Sequence, residues 1–463
     1  MKTPDPVFEH FGYRNHDTHV VITGYTGPGG AVAIPGTIEN LPVTTIGVCA
    51  FRGCGSLTRI TIHPSVTNIG RYAFEDCSSL TSVAIPEGVT GIGDWAFSGC
   101  SSLTSVTIPS SVTHMGSRAF KGCASLADIT FMSGGGGGTS IGTAIFEGCH
   151  GLTRILIPEG VTDIGLYAFS SCRNLTSITV SPSNPNYSSS DGCLFNKDMT
   201  ELITYPRAKA GTSYEIPSSV TDIVDRAFES CWNLTSITIP SGVTRIGGWA
   251  FCECSKLTEI TIPQGVTNID GMAFFDCSSL AHVSIPEGVT SISDGAFAGC
   301  INLARIAIPG SVTRIGDWAF QGCSGLASVE IPGSVIQIGL DVFRDCSNLM
   351  AILVSPANLN YISLDGCLFD KDMTELITYP MAKAGTAYAI PSGTTSIGYG
   401  AFSGCSGLTR ITIPPGVIDI GDRAFSGCSS LTSITIPPSV TRIGYEAFDG
   451  CDSLRLPGLA DDT

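Results

Sequence analysis

The chain has 463 residues, 40 acidic against 24 basic side chains, a formal net charge of −16 and only 14% charged residues. That balance, with no basic block anywhere, excludes nucleic acid and anionic membrane surfaces as partners, and no run of 18 apolar residues marks a membrane span. A hydrophobic content of 43% excludes a disordered chain.

The N-terminus, MKTPDPVFEHFGYRNHD, carries neither an apolar h-region nor a cleavage site, so no secretory signal is expected. Residues 1–36 are expected to form a capping segment and the first strands. His16 and His19 are the only ligand-like histidine pair, and two histidines without further donors predict no metal site.

From residue 37 the chain repeats itself. AFSGCSSLTSVTIP at Ala96–Pro109 returns at Ala424–Pro437 with a single change, Val106 against Ile434. Taking Phe-x-x-Cys as a marker from Cys54 to Cys451 gives fourteen intervals, of which eleven are 23 residues, one is 26 and two are 59. A fixed period of this size means stacked coils, one supersecondary unit each, about 15 of them over residues 37–463.

Within one coil, Leu103, Val106 and Ile108 alternate with polar residues, which predicts a short β-strand closed by Pro109. Val112 and Met115 mark a second wall. Ala119, Phe120 and Cys123 fall at spacings that suit one helical or 3-10 turn, with Gly122 allowing the bend. Stacked coils place like residues roughly 4.8 Å apart, and a lone coil buries too little to fold.

Three places interrupt the period. Ser133–Ser140, SGGGGGTS, reads as a flexible bulging loop; it lacks the Lys-Ser/Thr of a phosphate loop. Extended repeats lie near 181–217 and 355–391, where KDMTELITYP occurs at Lys197–Pro206 and again 174 residues later at Lys371–Pro380. CLFNKDMTELITY predicts a hairpin, and the Asp191–Asp198 spacing fails a calcium loop. The chain stops inside an incomplete coil, SLRLPGLADDT, with no anchor motif.

Nineteen cysteines in a small secreted chain would imply a disulfide framework, but here most stand in one column. Stacked side chains point in parallel, which suits a buried filler better than a disulfide. Cys252 and Cys254 have no second pair for zinc, Cys193 and Cys367 are equivalent packing positions, and Cys49 stands apart. The sequons at Asn174, Asn186 and Asn233 are expected by chance in a Ser/Thr-rich repeat. A column of near-identical residues supplies no unique catalytic constellation, so no enzyme and no cofactor are expected.

The outward positions of the strands are mostly Ser and Thr, as a solvated β-face requires. Departures from Ser/Thr concentrate at Asp128, Arg154 and Leu156, and at Glu259, His282, Arg305 and Glu330. These seven are the candidate partner-binding face, for a protein ligand.

The 23-residue pattern, loosely LtsItIPssVtsIgxxAFxgCsn, together with GYTGPGGAVAIPGTIENLPVTTIGVCAF at Gly24–Phe51 and the two DGCLF…LITYP segments, resembles the BspA-like leucine-rich repeat family over residues 20 to 456. The resemblance implies a repeat solenoid: a curved, right-handed leucine-rich-repeat horseshoe with short parallel β-strands. It also implies a surface-exposed or secreted protein that binds other proteins in adhesion to host or neighbouring cells. The alternative is an intracellular interaction scaffold, favoured by the unreadable export signal and by many unpaired thiols.

Overall fold

In a computed structural model, which describes residues 9–132 and 138–454, each 23-residue period becomes one coil of a parallel β-solenoid. The run Ser105–Ile108 is a strand with Val106 and Ile108 buried and Ser105 and Thr107 exposed. It pairs in parallel, residue for residue, with Ser82–Ala84 before it and Asp128–Phe131 after it. The second wall is a two-residue strand, His114–Met115, between Gly91–Ile92 and Thr139–Ile141. Constant period is what makes these ladders possible, since equal coils deliver equal residues to equal heights.

Contacts divide the chain into two compact units, Met1–Ala210 and Gly211–Thr463. The first begins with an antiparallel pair, Phe11–Asn15 on Val20–Tyr25, and Val20–Tyr25 then starts the parallel ladder with Leu41–Ile46. The second repeats the same coil, with ladders such as Ser213–Glu215, Ser236–Thr238, Glu259–Thr261 and His282–Ser284. The glycine run at 133–137 lies outside the described residues.

The corner is not helical. Among the described residues there is no helix at all. At Gly93–Cys100, the N–H groups of Ala96, Ser98 and Cys100 bond carbonyls three residues back, at 3.2, 3.1 and 3.2 Å. Those of Trp95, Phe97 and Gly99 instead bond Ser117, Ala119 and Lys121 of the next coil, at 2.9, 2.7 and 2.8 Å. A 3-10 turn would spend every donor inside itself; the alternation requires left-handed backbone at Trp95 (φ 58°) and Gly99 (φ 73°). That conformation costs a non-glycine residue about 1–2 kcal/mol, offset here by bonds that tie coil to coil. Trp, Tyr, Arg and Met occupy this position in different coils, so the sequence carries no left-handed signature. Gly116 does carry one kind of necessity: a Cβ there would lie 2.3 Å from the backbone nitrogen of Asp94.

Phenylalanine rings fill the corner as a column. Phe74, Phe97 and Phe120 stack at 5.0 and 5.2 Å in the first unit, and Phe251, Phe274 and Phe297 at 5.3 and 5.2 Å in the second. The cysteines beside them are buried free thiols: Cys100 and Cys123 donate to the carbonyls of Phe74 and Phe97, both at 3.2 Å. Cys49, Cys54 and Cys451 are half-exposed.

Each 59-residue interval holds one ordinary coil plus one longer coil, which the Phe-x-x-Cys marker misses. Tyr379 stacks on Phe402 at 5.1 Å and donates its N–H to Ala401 at 2.8 Å, so Tyr stands in the Phe column. Tyr25 likewise stacks on Phe51 at 5.2 Å. The described residues therefore form about 18 turns rather than 15. The expected hairpin is present in both extensions and is joined by a third strand. Cys193–Asn196 pairs antiparallel with Tyr187–Ser190 and Glu201–Thr204, and Cys367–Asp370 pairs in the same way with Tyr361–Leu364 and Glu375–Thr378.

A fully buried asparagine anchors each extension. Asn358 Nδ2 donates to the carbonyls of Pro332 (2.8 Å) and Val335 (3.0 Å), while its Oδ1 accepts from the N–H groups of Asn360 and Tyr361, both at 2.8 Å. Asn184 makes the equivalent set.

Two measurements test these assignments. Burial pushes the thiols of Cys77, Cys172 and Cys346 up to about 12, whereas unfolded thiols titrate near ~8.5. Above that value the unfolded chain binds fewer protons than the folded one. Stability must then fall with rising pH, by about 1.4 kcal/mol per pH unit for each such thiol. Urea midpoints compared at about pH 7.5 and about pH 10 should drop steeply, and the 16 buried thiols should react with a thiol reagent only after denaturation, while the half-exposed Cys49, Cys54 and Cys451 react in the folded protein. Replacing Asn358→Ala leaves two N–H donors unmet and should destabilise the extension by about 3 kcal/mol, read as faster amide exchange at Cys367–Asp370.

Candidate binding surface

The outward rows fall on the strand ladders as the alternation requires. In the first unit Arg59, Ser105, Asp128 and Arg154 are exposed, with Ile60, Val106 and Ile155 buried behind them. Thr pairs with Thr or Ala along the neighbouring row, as in Thr61 beside Ala84 and Thr107 beside Thr130.

The seven candidate residues are all exposed and are distributed over several sheets of the two units. Asp128 is the register partner of Ser105 at the end of a five-stranded sheet. Arg154 and Leu156 belong to a separate two-stranded sheet, paired with Ser177 and Thr179. The ladder breaks between them, within the 26-residue coil.

In the second unit Glu259 and His282 are direct register partners, one coil apart. Two residues further along the same strands, Thr261 and Ser284 border an open groove of about 460 Å³. Its apolar lining comes from Ile239, Ile285, Pro263 and Pro286. Arg305 lies in a coil that forms no strand on this face, so it sits in a gap between two sheets. Glu330 is beyond that gap, beside Leu353.

Among the described residues, Asp128, Arg154, Glu259, His282, Arg305 and Glu330 make no ion pair. Elsewhere charges are spent between coils. Arg245 reaches Asp222 at 3.1 Å and Asp225 at 2.6 Å, and Arg442 reaches Asp419 and Asp422, each at 3.1 Å. Such exposed pairs contribute about 0–1 kcal/mol each.

Of a second group only Leu353 stood out in the sequence, as an exception to the Thr row. Met350, Leu353, Leu359 and Leu364 are exposed around the second extension, Leu359 at 80%. The near-copy 174 residues earlier has Thr176, Thr179, Pro185 and Ser190 at these positions. Comparing the two copies side by side is the signal that finds them.

The family model for the BspA type leucine rich repeat region matches residues 36–136, 135–209, 205–326, 272–380 and 381–456. A solved leucine rich cell surface protein of Faecalibacterium prausnitzii A2-165 is 31% identical, with a TM-score of 0.55 over 75% of this chain and 93% of that one. The pneumococcal vaccine antigen PcpA is 20% identical, with a TM-score of 0.59 over 94% of this chain and 97% of that one, a likeness of fold. No curated protein gives a match. Among the described residues no helix is long and apolar enough to cross a membrane.

Because the first copy folds with Thr, Pro and Ser, the triple variant Leu353→Thr, Leu359→Pro, Leu364→Ser should keep its urea midpoint. The expected change in stability is within about 0.5 kcal/mol.

Proposed function

The chain belongs to the BspA-type leucine-rich repeat family, and on that premise we propose that it is a non-enzymatic protein-binding solenoid, displayed at the cell surface or secreted and engaged in adhesion. The observation that carries this reading is that Glu259, His282, Arg305 and Glu330 of the second unit stand exposed on outward rows that are mostly Ser and Thr and make no ion pair among the described residues. A fold that needs only small polar residues there gains nothing internally from Glu259, His282, Arg305 or Glu330. The groove beside Glu259 and His282 offers apolar surface next to those charges, the combination that protein interfaces use. The 31% identical relative is itself a cell surface protein, which supports display.

A second reading, an intracellular scaffold, is favoured by one observation: all 19 cysteines are free thiols, which suits a reducing compartment.

Protease applied to intact source cells separates the two. Loss of the chain while an internal marker survives is the outcome expected for display; full protection beside a degraded surface control supports the scaffold. For the face itself, Glu259→Lys with His282→Glu should weaken saturable binding of purified protein to intact target cells by about tenfold. The melting temperature should not move, since both side chains are exposed and unpaired.

A further inference from the structure

The second extended coil cuts its corner short. In an ordinary coil five positions separate the buried strand residue from the aromatic column, as from Ile397 to Phe402; here only three do, from Leu376 to Tyr379. Both ends nevertheless stay in register with the next coil, Leu376 beside Ile397 and the Tyr379 N–H on Ala401. Two residues of outer turn are therefore missing from this coil. At that place the structure has a cavity of about 420 Å³, within the size range of small-ligand sites.

Asp341 and Arg344 of the coil before, Asp370 and Glu375 of the extension, and Tyr399 and Gly400 of the coil after line this cavity. Ile338, Ile377 and Tyr379 supply apolar wall, and Ile336 and Leu340 stand exposed at its rim. The missing turn also leaves a donor open. The Trp318 N–H reaches Leu340 in the next coil at 2.9 Å, but among the described residues the equivalent N–H of Asp341 has no backbone acceptor.

Three carboxylates line the cavity with one guanidinium, Arg344, which is already engaged, and Arg423 also acts on Asp341. Arg344 lies 3.4 Å from Asp341 and 3.6 Å from Asp345. Asp370 and Glu375 make no ion pair among the described residues. Burial raises the Glu375 carboxyl above its ordinary range, and Asp370 and Asp419 raise it further. The Asp341 carboxyl, 5% exposed, is raised by burial and held back by Arg344.

The near-copy shows that the fold does not ask for the charges at Asp341 and Asp370, although it keeps an acid, Glu201, at the Glu375 position. Tyr167 stands where the second copy has Asp341, and Asn196 where it has Asp370. Asn196 Oδ1 accepts from the N–H groups of Thr200 (2.8 Å) and Glu201 (3.0 Å); Asp370 Oδ1 accepts from the Glu375 N–H at 2.7 Å. The turn needs an acceptor at this position, and an uncharged one serves. The charge at Asp370 is surplus to folding. Among the described residues no three acidic, histidine or cysteine side chains are grouped to hold a metal ion. The isoleucine and tyrosine wall beside these carboxylates suits a counter-charge carried on an apolar stem.

We propose that this cavity binds an organic cation, a primary ammonium on an aliphatic stem, with Asp370 and Glu375 as its counter-ions. The ammonium can be the lysine side chain of a partner protein or a free diamine. The site stands apart from the strand face and does not depend on that face binding anything.

Calorimetric titration of the full chain tests it with three probes: Nα-acetyl-lysine N-methylamide, 1,5-diaminopentane and the uncharged Nα-acetyl-norleucine N-methylamide. At least one amine should saturate a single site and the norleucine amide should not. Preference for the lysine amide assigns a partner's side chain, and preference for the diamine a free amine. Asp370→Asn should weaken the amine at least about fivefold with an unchanged melting temperature, since Asn already serves in the first copy. Glu375→Gln should weaken the amine likewise, with no melting-temperature criterion attached, since the first copy keeps Glu201 here. No binding of either amine, equal binding of the norleucine amide, or full affinity in both variants would overturn the assignment.

Discussion

Alternate backbone donors in the regular corners find their acceptors in the neighbouring coil, and most of the structure follows from keeping that register. Trp95, Phe97 and Gly99 can reach Ser117, Ala119 and Lys121 only if each coil returns to the same place. A buried N–H without an acceptor costs about 1–3 kcal/mol, so a coil of wrong length would pay that cost several times over. The same return stacks Phe on Phe at 5.0–5.9 Å along the column. It also leaves room for only a small side chain at the cysteine position, where the thiol finds the preceding Phe carbonyl at about the same distance in coil after coil.

The extensions show how much can be added without breaking the register. All of the extra length is placed in a three-stranded antiparallel meander, which satisfies its own backbone groups. A buried asparagine ties the meander to the wall of the previous coil. Register is regained at Leu376 and Tyr379. What is given up is the outer turn between them, and with it the packing that would have filled the cavity lined by Asp341 and Glu375.

Because the chain carries two near-copies of this arrangement, it supplies its own comparison. Residues common to both copies, such as Asn184 and Asn358 or Tyr187 and Tyr361, hold the extension together. Residues that differ, such as Asn196 and Asp370 or Thr179 and Leu353, are free of that duty. The same logic separates structure from surplus on the strand face, where Ser and Thr suffice for the ladder and Glu259 and His282 add charge that nothing inside the protein uses.

The period, the strand alternation, the buried thiol column and the hairpin were all legible in the sequence, because each rests on local pattern and on repetition, which stacking only multiplies. The corner was not: left-handed backbone at Trp95, Tyr72 or Met272 follows from bonds to another coil, and those residue types give no sign of it. Nor was the extra coil legible, since Tyr379 replaces the marker Phe and reveals itself only by lying on Phe402. The candidate residues were correctly placed outward by period two, yet sequence spacing could not foresee that Arg305 would fall in a gap or that Asp128 and Arg154 would sit in different sheets. Whether adjacent strands join into one ladder depends on backbone distances across coils. For the same reason only the tertiary structure gathered Asp341, Asp370 and Glu375 around one cavity.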